Sequence, residues 1–238
     1  MKTFALIGSE LQHSFSYKYF NNKFQKEKYK NYQYINLEIN NISKLKYLIS
    51  KYSLSGLNIT IPYKTSIIPF LDDLSKEAKI INAVNTIQIN NGKIIGHNTD
   101  TIGFTKSIYK KIKNKKNALV LGNGGSAQAI KYSLDQLNIN HLTVSRNTSL
   151  NYKKLTKEII KKNKIIINCT PLGMFPNINS FPEIPYDLLT KDHLLFDLVY
   201  NPELTLFQKL GLKKNCEVIN GLEMLFIQAE ESWKIWNS

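Results

Sequence analysis

The sequence predicts an α/β protein built as two units, an N-terminal mixed α/β unit followed by a doubly wound parallel sheet. Three observations carry this. Short apolar runs of strand length alternate with longer stretches at helical spacing along the whole chain. Asn91-Gly92, set between two β-branched runs, is a hairpin signal and gives the first hundred residues an antiparallel edge. A glycine-rich loop, Gly122 to Ser126, joins a strand to a helix in the second half. At 238 residues there is room for one large domain or two modest ones.

The elements follow in order. Phe4–Gly8 reads as a buried strand, and Tyr17, Phe20 and Phe24 share one face of a helix. Tyr34–Ile39 is a strand. Ile42, Leu45, Leu48 and Ile49 form one helical stripe, and Gly56–Ile61 is a strand closed by Pro62. "AVNTIQI" and "KIIGHN" are the two arms of the hairpin. A helix over residues 101–113 leads to a second series: a strand at Ala118–Gly122, a helix over 126–137, a strand at His141–Ser145 and a helix over 152–162. Strands over 164–170, 193–199 and 216–219 complete it. Such alternation implies parallel strands with helical crossovers. The last helix, 222–236, is apolar at Leu222, Leu225, Phe226, Ala229, Trp233 and Trp236, and could pack on either unit.

A hydrophobic content of 42% and a charged content of 21% describe a globular chain. The formal net charge of +14 raises the possibility of a nucleic-acid partner. The lysines are scattered, however, with only short runs such as Lys110–Lys116. They accompany a richness in Ile, Asn and Tyr, the joint bias of an AT-rich genome filling solvated faces. No nucleic-acid partner is expected. Cys169 and Cys216 have neither metal spacing nor a disulfide framework, so no metal is expected and a reducing compartment fits. The apolar run after Met1 breaks at Gly8, too early for a signal peptide. No stretch is long enough for a membrane span. A cytoplasmic protein with no membrane partner, a monomer or homodimer, is expected.

"LVLGNGGSAQAI" carries the first chemical signal. Gly122 permits a tight turn, and Gly124 and Gly125 let backbone N–H groups approach a pyrophosphate at a helix N-terminus. With its strand–loop–helix context the pattern reads as a variant of the Rossmann dinucleotide fingerprint. Arg146 then acquires meaning, because every other basic residue counted in the chain is lysine. It stands at the tip of the next strand, about 20 residues on, where an acidic residue would hold the ribose hydroxyl of NAD. The tip here is Ser145-Arg146-Asn147, with no carboxylate. A planar guanidinium suits a 2′-phosphate and stacks on adenine, which points to NADP. A solvated loop arginine without a role is the plain alternative.

"HSFS" (His13–Ser16), "NITIPYK" (Asn58–Lys64), "NAVNT" (Asn82–Thr86) and "GHNTD" (Gly96–Asp100) occur in order in the first unit. "GNGGSA", "SRN", "NCTPLGM" (Asn168–Met174), "DLVYNP" (Asp197–Pro202) and "GLEMLFIQAEESW" (Gly221–Trp233) follow in the second. In this combination the chain resembles the shikimate dehydrogenase family over essentially its whole length. The resemblance implies reduction of 3-dehydroshikimate to shikimate with NADPH, on the way to chorismate and the aromatic amino acids. It implies a substrate-binding and catalytic domain over residues 1–101 with 222–238, and a Rossmann-like NADP-binding domain over 102–221.

The residue roles are likewise implied. Ser14 and Ser16 match the pair that binds the substrate carboxylate, and Thr60, Asn85, Asp100, Tyr200 and Gln228 match other substrate contacts. Lys64 matches the catalytic lysine and Asp100 its partner. Gly122, Gly124, Gly125, Ser126, Ser145 and Arg146 match cofactor positions, with Leu198 and Gly221 near the nicotinamide. Some positions depart from the family pattern. Tyr17 and Phe20 stand where Pro and His are usual, Asn82 where Gly is usual, and Ser145 where Asn is usual.

The residues themselves permit this chemistry without compelling it. Reduction of a ketone needs a hydride donor and a proton donor, and a lysine just past a strand end can supply the proton. Taken alone, Lys64 is one surface lysine among many. Asp100 is a helix N-cap as readily as a functional carboxylate, Ser14 and Ser16 as readily cap the first helix, and Gln228 fits a solvated helix face. Cys169 reads as a small packing residue. Two other functions stay open on this fold: a quinate/shikimate dehydrogenase using NAD, and a non-catalytic nucleotide-sensing protein.

Overall fold

The structure is a computed structural model and describes residues 1–12 and 14–238. The chain divides into two compact units, Met1–Asp100 with Ile227–Ser238, and Thr101–Phe226.

The first unit is built on a six-stranded sheet. In chain order its elements are β1 (Lys2–Gly8), α1 (Phe15–Lys26), β2 (Tyr32–Glu38), α2 (Leu45–Lys51), β3 (Leu54–Ile59), β4 (Asp73–Leu74), α3 (Lys76–Ile81), β5 (Thr86–Asn90) and β6 (Lys93–His97). The sheet order is β2-β1-β3-β5-β6-β4. β1 runs parallel to β2 and β3, while β3, β5 and β6 are antiparallel. The β5–β6 turn is the one foreseen: Asn90 pairs with Lys93, and Asn91 and Gly92 both have positive φ, 49° and 78°. That geometry twists with the strands, and Asn and Gly adopt it at low cost.

One core of this unit packs α2 and the Tyr63–Phe70 segment on the sheet around Ile7, Leu45, Leu57, Ile59 and Ile87. Ile42, Leu45 and Leu48 are buried as expected, with Ile49 packed at the margin. The other core is aromatic: Phe4, Phe20, Phe24 and Tyr34 pack with Trp233 and Trp236. The stripe expected on α1 holds at Phe20 and Phe24 but not at Tyr17, which lies in the first turn and is 45% exposed. The rings of Trp233 and Trp236 cover the later turns of that helix.

The second unit has a five-stranded, all-parallel sheet in the order β11-β10-β9-β7-β8. The remaining elements in chain order are α4 (Asp100–Ile112), β7 (Asn117–Leu121), α5 (Gly125–Gln136), β8 (Asn140–Val144), α6 (Lys157–Lys162), β9 (Ile165–Asn168), β10 (Leu194–Asp197), α7 (Leu206–Leu212), β11 (Glu217–Ile219) and α8 (Leu222–Trp236), which from Ile227 on belongs to the first unit. The central strands β7, β9 and β10 are buried along almost their whole length, as a sheet covered on both faces requires. The single helix expected over 152–162 is instead a 3₁₀ turn, Tyr152–Lys154, and α6. Thr156 breaks it, because its hydroxyl caps α6 by accepting from the Ile159 N–H.

α8 matches the expected span but not the expected stripe. Met224 joins the core of the second unit, whereas Ala229 and Trp236 join the aromatic core of the first. Phe226 is exposed. One helix serving two cores presents different faces along its length, so a single apolar stripe does not describe it. Among the described residues no helix is long and apolar enough to cross a membrane.

Candidate active site

The segment after β3 and the end of the β6–α4 connection place Lys64 beside Asp100. Lys64 Nζ donates to Asp100 Oδ2 at 2.5 Å, with the two side chains 13% and 2% exposed. Water is largely excluded from the pair, and a desolvated charged pair of this kind needs its remaining valences satisfied. Asn85 supplies this: its Nδ2 donates to Asp100 Oδ1 at 3.0 Å. The Asp100 N–H is accepted by Asn98 Oδ1 at 3.0 Å, which pins the first turn of α4. The carboxylate of Asp100 is thus held at both oxygens.

Asn85 is itself held. Its Oδ1 accepts from the Thr99 N–H at 2.8 Å and lies 3.1 Å from the Thr86 hydroxyl. Gln228 on α8 brings Oε1 to 3.5 Å from Asn85 Nδ2, so that side chain is turned to this cluster and not to a solvated face. Thr60 follows β3, with its N–H bonded to the Ile7 carbonyl at 2.9 Å. Ser14 is the N-cap of α1, and its Oγ accepts from the Tyr17 N–H at 3.1 Å. Ser16 lies in the first turn of α1, and burial holds the phenol of Tyr34 well above its ordinary range. His13 of the same motif lies outside the described residues.

The second unit gathers the nucleotide signals. Gly122 has φ of +106°, a conformation that a side chain would strain, and a Cβ there would meet Thr170 at 3.0 Å. Gly124 is the N-cap of α5 and offers no capping side chain, and a Cβ on Gly124 would meet open space. The start of α5 places the backbone of Gly125 and Ser126 at a helix N-terminus, where the dipole favours a phosphate. Arg146 is exposed at the end of β8. Its neighbour Ser145 spends its hydroxyl inside the turn, 3.2 Å from Thr148 Oγ1, and accepts from the Asn147 N–H at 3.3 Å.

Leu198 and Gly221 meet backbone to backbone. A Cβ on Gly221 would fall 2.2 Å from the Leu198 carbonyl oxygen, so only glycine fits. Tyr200 follows in the same segment, partly buried. Asp197, just before it, is fully buried. Its Oδ1 accepts from Asn168 Nδ2 at 2.9 Å and the Val199 N–H at 3.0 Å, and its Oδ2 accepts from the Thr205 hydroxyl at 2.6 Å. Burial pushes the Asp197 carboxyl up to about 6, and these donors oppose the shift. Cys169 packs against the core of this unit, as its composition suggests.

Residues 6–87 match the shikimate dehydrogenase substrate binding domain. A shikimate dehydrogenase (NADP(+)) of Methanococcus maripaludis is 37% identical over 258 residues, covering 99% of this chain and 91% of that one. The chain belongs to the shikimate dehydrogenase family. A family member from Clostridium beijerinckii is 39% identical over 249 residues, covering 99% and 92% of the two chains. The crystal structure of shikimate dehydrogenase 1 from Peptoclostridium difficile superposes with a TM-score of 0.88 at 34% identity, covering 100% of this chain and 92% of that one.

Several residues bonded around Asn85 and Asn168 carry little signal in the sequence. Thr86 and Asn58 lie within the Asn82–Thr86 and Asn58–Lys64 motifs, but neither residue type by itself reveals a buried polar contact. Ser232 on α8 has no motif reading of its own. Only the fold shows that Ser232, fully buried, lies 2.8 Å from the Thr86 hydroxyl. Asp197 looks like a strand-end acid, and nothing local reveals that it is buried.

Proposed function

We propose that this chain catalyses the reversible, NADPH-dependent reduction of 3-dehydroshikimate to shikimate, a step towards chorismate and the aromatic amino acids. The observation that carries the reading is the Lys64–Asp100 pair at 2.5 Å, backed by Asn85 on the second carboxylate oxygen. Residues 1–101 with 222–238 bind and turn over the substrate, and residues 102–221 bind NADP.

In this reading the Ser14 and Ser16 hydroxyls take the substrate carboxylate, with the start of α1 adding favourable partial charge. Thr60, Asn85, Asp100, Gln228 and Tyr200 orient the hydroxyls and the carbonyl. The Lys64 ammonium donates to the carbonyl oxygen, stabilises the charge that develops there, and passes a proton to it; in oxidation it takes the proton back. Asp100 fixes the lysine's direction.

The residues present fit a dinucleotide phosphate. Gly122, Gly124, Gly125 and Ser126 would cradle the pyrophosphate at the start of α5, and Ser145 and Arg146 would take the adenosine 2′-phosphate. Leu198 and Gly221 would lie by the nicotinamide. When bound, the cofactor supplies or accepts the hydride. We also propose a cytoplasmic monomer or homodimer acting on small molecules, without nucleic-acid or membrane partners.

Steady-state rates with shikimate and with quinate, each with NADP and with NAD, test the reading. Turnover of shikimate with NADP far above the other three combinations is expected. Quinate turnover with NAD at a comparable rate would replace the reading with that of a quinate enzyme, and no turnover in any combination would reject it.

A further inference from the structure

We propose that a buried hydrogen-bond relay running from Asn58 through Thr86 to Asn85, with Ser232 of α8 bonded into it, sets the position of the Asp100 carboxylate, so that Thr86 and Ser232 are positioning residues. The proposal rests on reading Lys64 and Asp100 as the proton-handling pair.

The direction of each proton in the relay follows from groups that can play only one part. Asn58 Nδ2 lies 3.3 Å from the Asn85 carbonyl, which only accepts, so the amide nitrogen faces that way. Its Oδ1 then faces Tyr34, whose hydroxyl donates to it at 2.8 Å. The same Nδ2 reaches Ser232 Oγ at 3.0 Å and Thr86 Oγ1 at 3.2 Å. Asn85 Oδ1 is fixed by the Thr99 N–H at 2.8 Å, so it must accept from Thr86 as well, at 3.1 Å. Thr86 has one proton and spends it there. Across the 2.8 Å contact with Ser232, Thr86 is therefore the acceptor and Ser232 the donor. Asn85 Nδ2, on the opposite side of its amide, donates to Asp100 Oδ1 at 3.0 Å. Along this path the protons point towards Asp100, and a chain of bonds polarised one way strengthens each member.

Burial makes the relay matter. Thr86 and Ser232 are 0% exposed, so no bulk water stands ready to replace a missing hydroxyl. Without the Thr86 proton, Asn85 keeps its bonds to Thr99 but loses a partner that fixes the amide plane. The carboxylate that Asn85 steadies would then sample other orientations, and Lys64 with it. Ser232 couples α8 to the same point: it sits one helical turn after Gln228, which also reaches Asn85.

The experiment compares four variants, Thr86→Val, Thr86→Ser, Ser232→Ala and Lys64→Ala, by steady-state kinetics with shikimate and NADP and by thermal unfolding. Thr86→Val replaces the hydroxyl with a methyl at nearly constant volume. It is expected to lower kcat about 10- to 100-fold, the cost of a small misplacement at the reacting centre, with the KM for NADP unchanged. Thr86→Ser keeps the hydroxyl and is expected to restore kcat even where it restores no thermal stability. Ser232→Ala is expected to lower kcat in the same direction by less. Should Thr86→Val not fold, the relay still stands or falls on Ser232→Ala and Thr86→Ser. Wild-type kcat in Ser232→Ala or Thr86→Val, with Lys64→Ala inactive, would overturn the relay alone. A fully active Lys64→Ala would remove the proton-handling pair and the relay together.

Discussion

Lys64 and Asp100 are 36 positions apart in the chain, and the antiparallel half of the first sheet brings them to a 2.5 Å contact. Removing either partner leaves the other in a site that excludes most water, so each substitution disturbs more than one bond. Lys64→Ala should lower kcat by about 10² to 10⁴, the range for losing a positioned acid–base group, with NADP affinity intact. Asp100→Asn should lower it too, and the double variant should lose less than the two losses combined, because the residues act as one. Kinetics on the three variants, with cofactor affinity followed by fluorescence, check this; losses that simply multiply in kcat would mean two independent roles. At Arg146 the expectation concerns selectivity. Arg146→Ala should cost on the order of 2–3 kcal/mol in kcat/KM with NADP and almost nothing with NAD. Equal losses with the two cofactors would show that the guanidinium does not read the 2′-phosphate.

At the scale of elements, α8 is the one whose part no local pattern gives away. Trp236 stacks on Phe4 with ring centroids 4.7 Å apart and donates its Nε1 proton to the Ile87 carbonyl at 3.0 Å. Gly56 makes room for it, since a Cβ there would fall 2.5 Å from the indole. A turn and a half earlier, Glu230 accepts from Tyr19 and from Lys23, the latter at 3.0 Å. The helix is thus keyed to the first sheet through a ring and a hydrogen bond, and to α1 through an ion pair. Trp236→Ala should destabilise the fold by about 3–5 kcal/mol, the usual cost of emptying a large aromatic site. Urea unfolding measures it, and a loss below about 1 kcal/mol would mean that α8 docks by other means. The elements that the sequence left unread, β4, α3 and α7, are the short ones, two to seven residues long. Periodicity has no room to show over such spans. α7 announces itself instead by the capping box of Thr205 and Gln208.

For the whole molecule, the buried Asp197 makes stability depend on pH. Its carboxyl is pushed up to about 6 from an ordinary 3.8, because burial disfavours the charge more than its three donors favour it. The folded state therefore holds the proton more tightly than the unfolded chain. The stabilisation is fully present below about pH 3.8 and is lost as pH rises through about 6. Between pH 4 and pH 7 the protein should lose about 2 to 3 kcal/mol relative to Asp197→Asn, which cannot ionise. Urea unfolding of the two proteins at both pH values gives the difference directly and cancels the carboxylates they share. A constant difference would place the Asp197 titration outside this range.

The sequence by itself determined the α/β class, the alternation of elements, the Asn91-Gly92 hairpin and the glycine loop before α5. Each depends on neighbours within a few residues, where φ preferences and side-chain period act directly. The motifs also named the candidate site residues, but as types in an order, without contacts. Tertiary structure decided what those types touch. Asp100 could have been a solvated N-cap, yet its oxygens go to Lys64 and Asn85. Gln228 could have faced water, yet it turns to Asn85. Ser232, Asn58 and Thr86 became partners only when α8 was laid against β3 and β5. Local propensity cannot encode such choices, because hydrogen bonds such as that between Asn58 and Ser232, 174 positions apart, are selected by which polar groups would otherwise be buried without a partner.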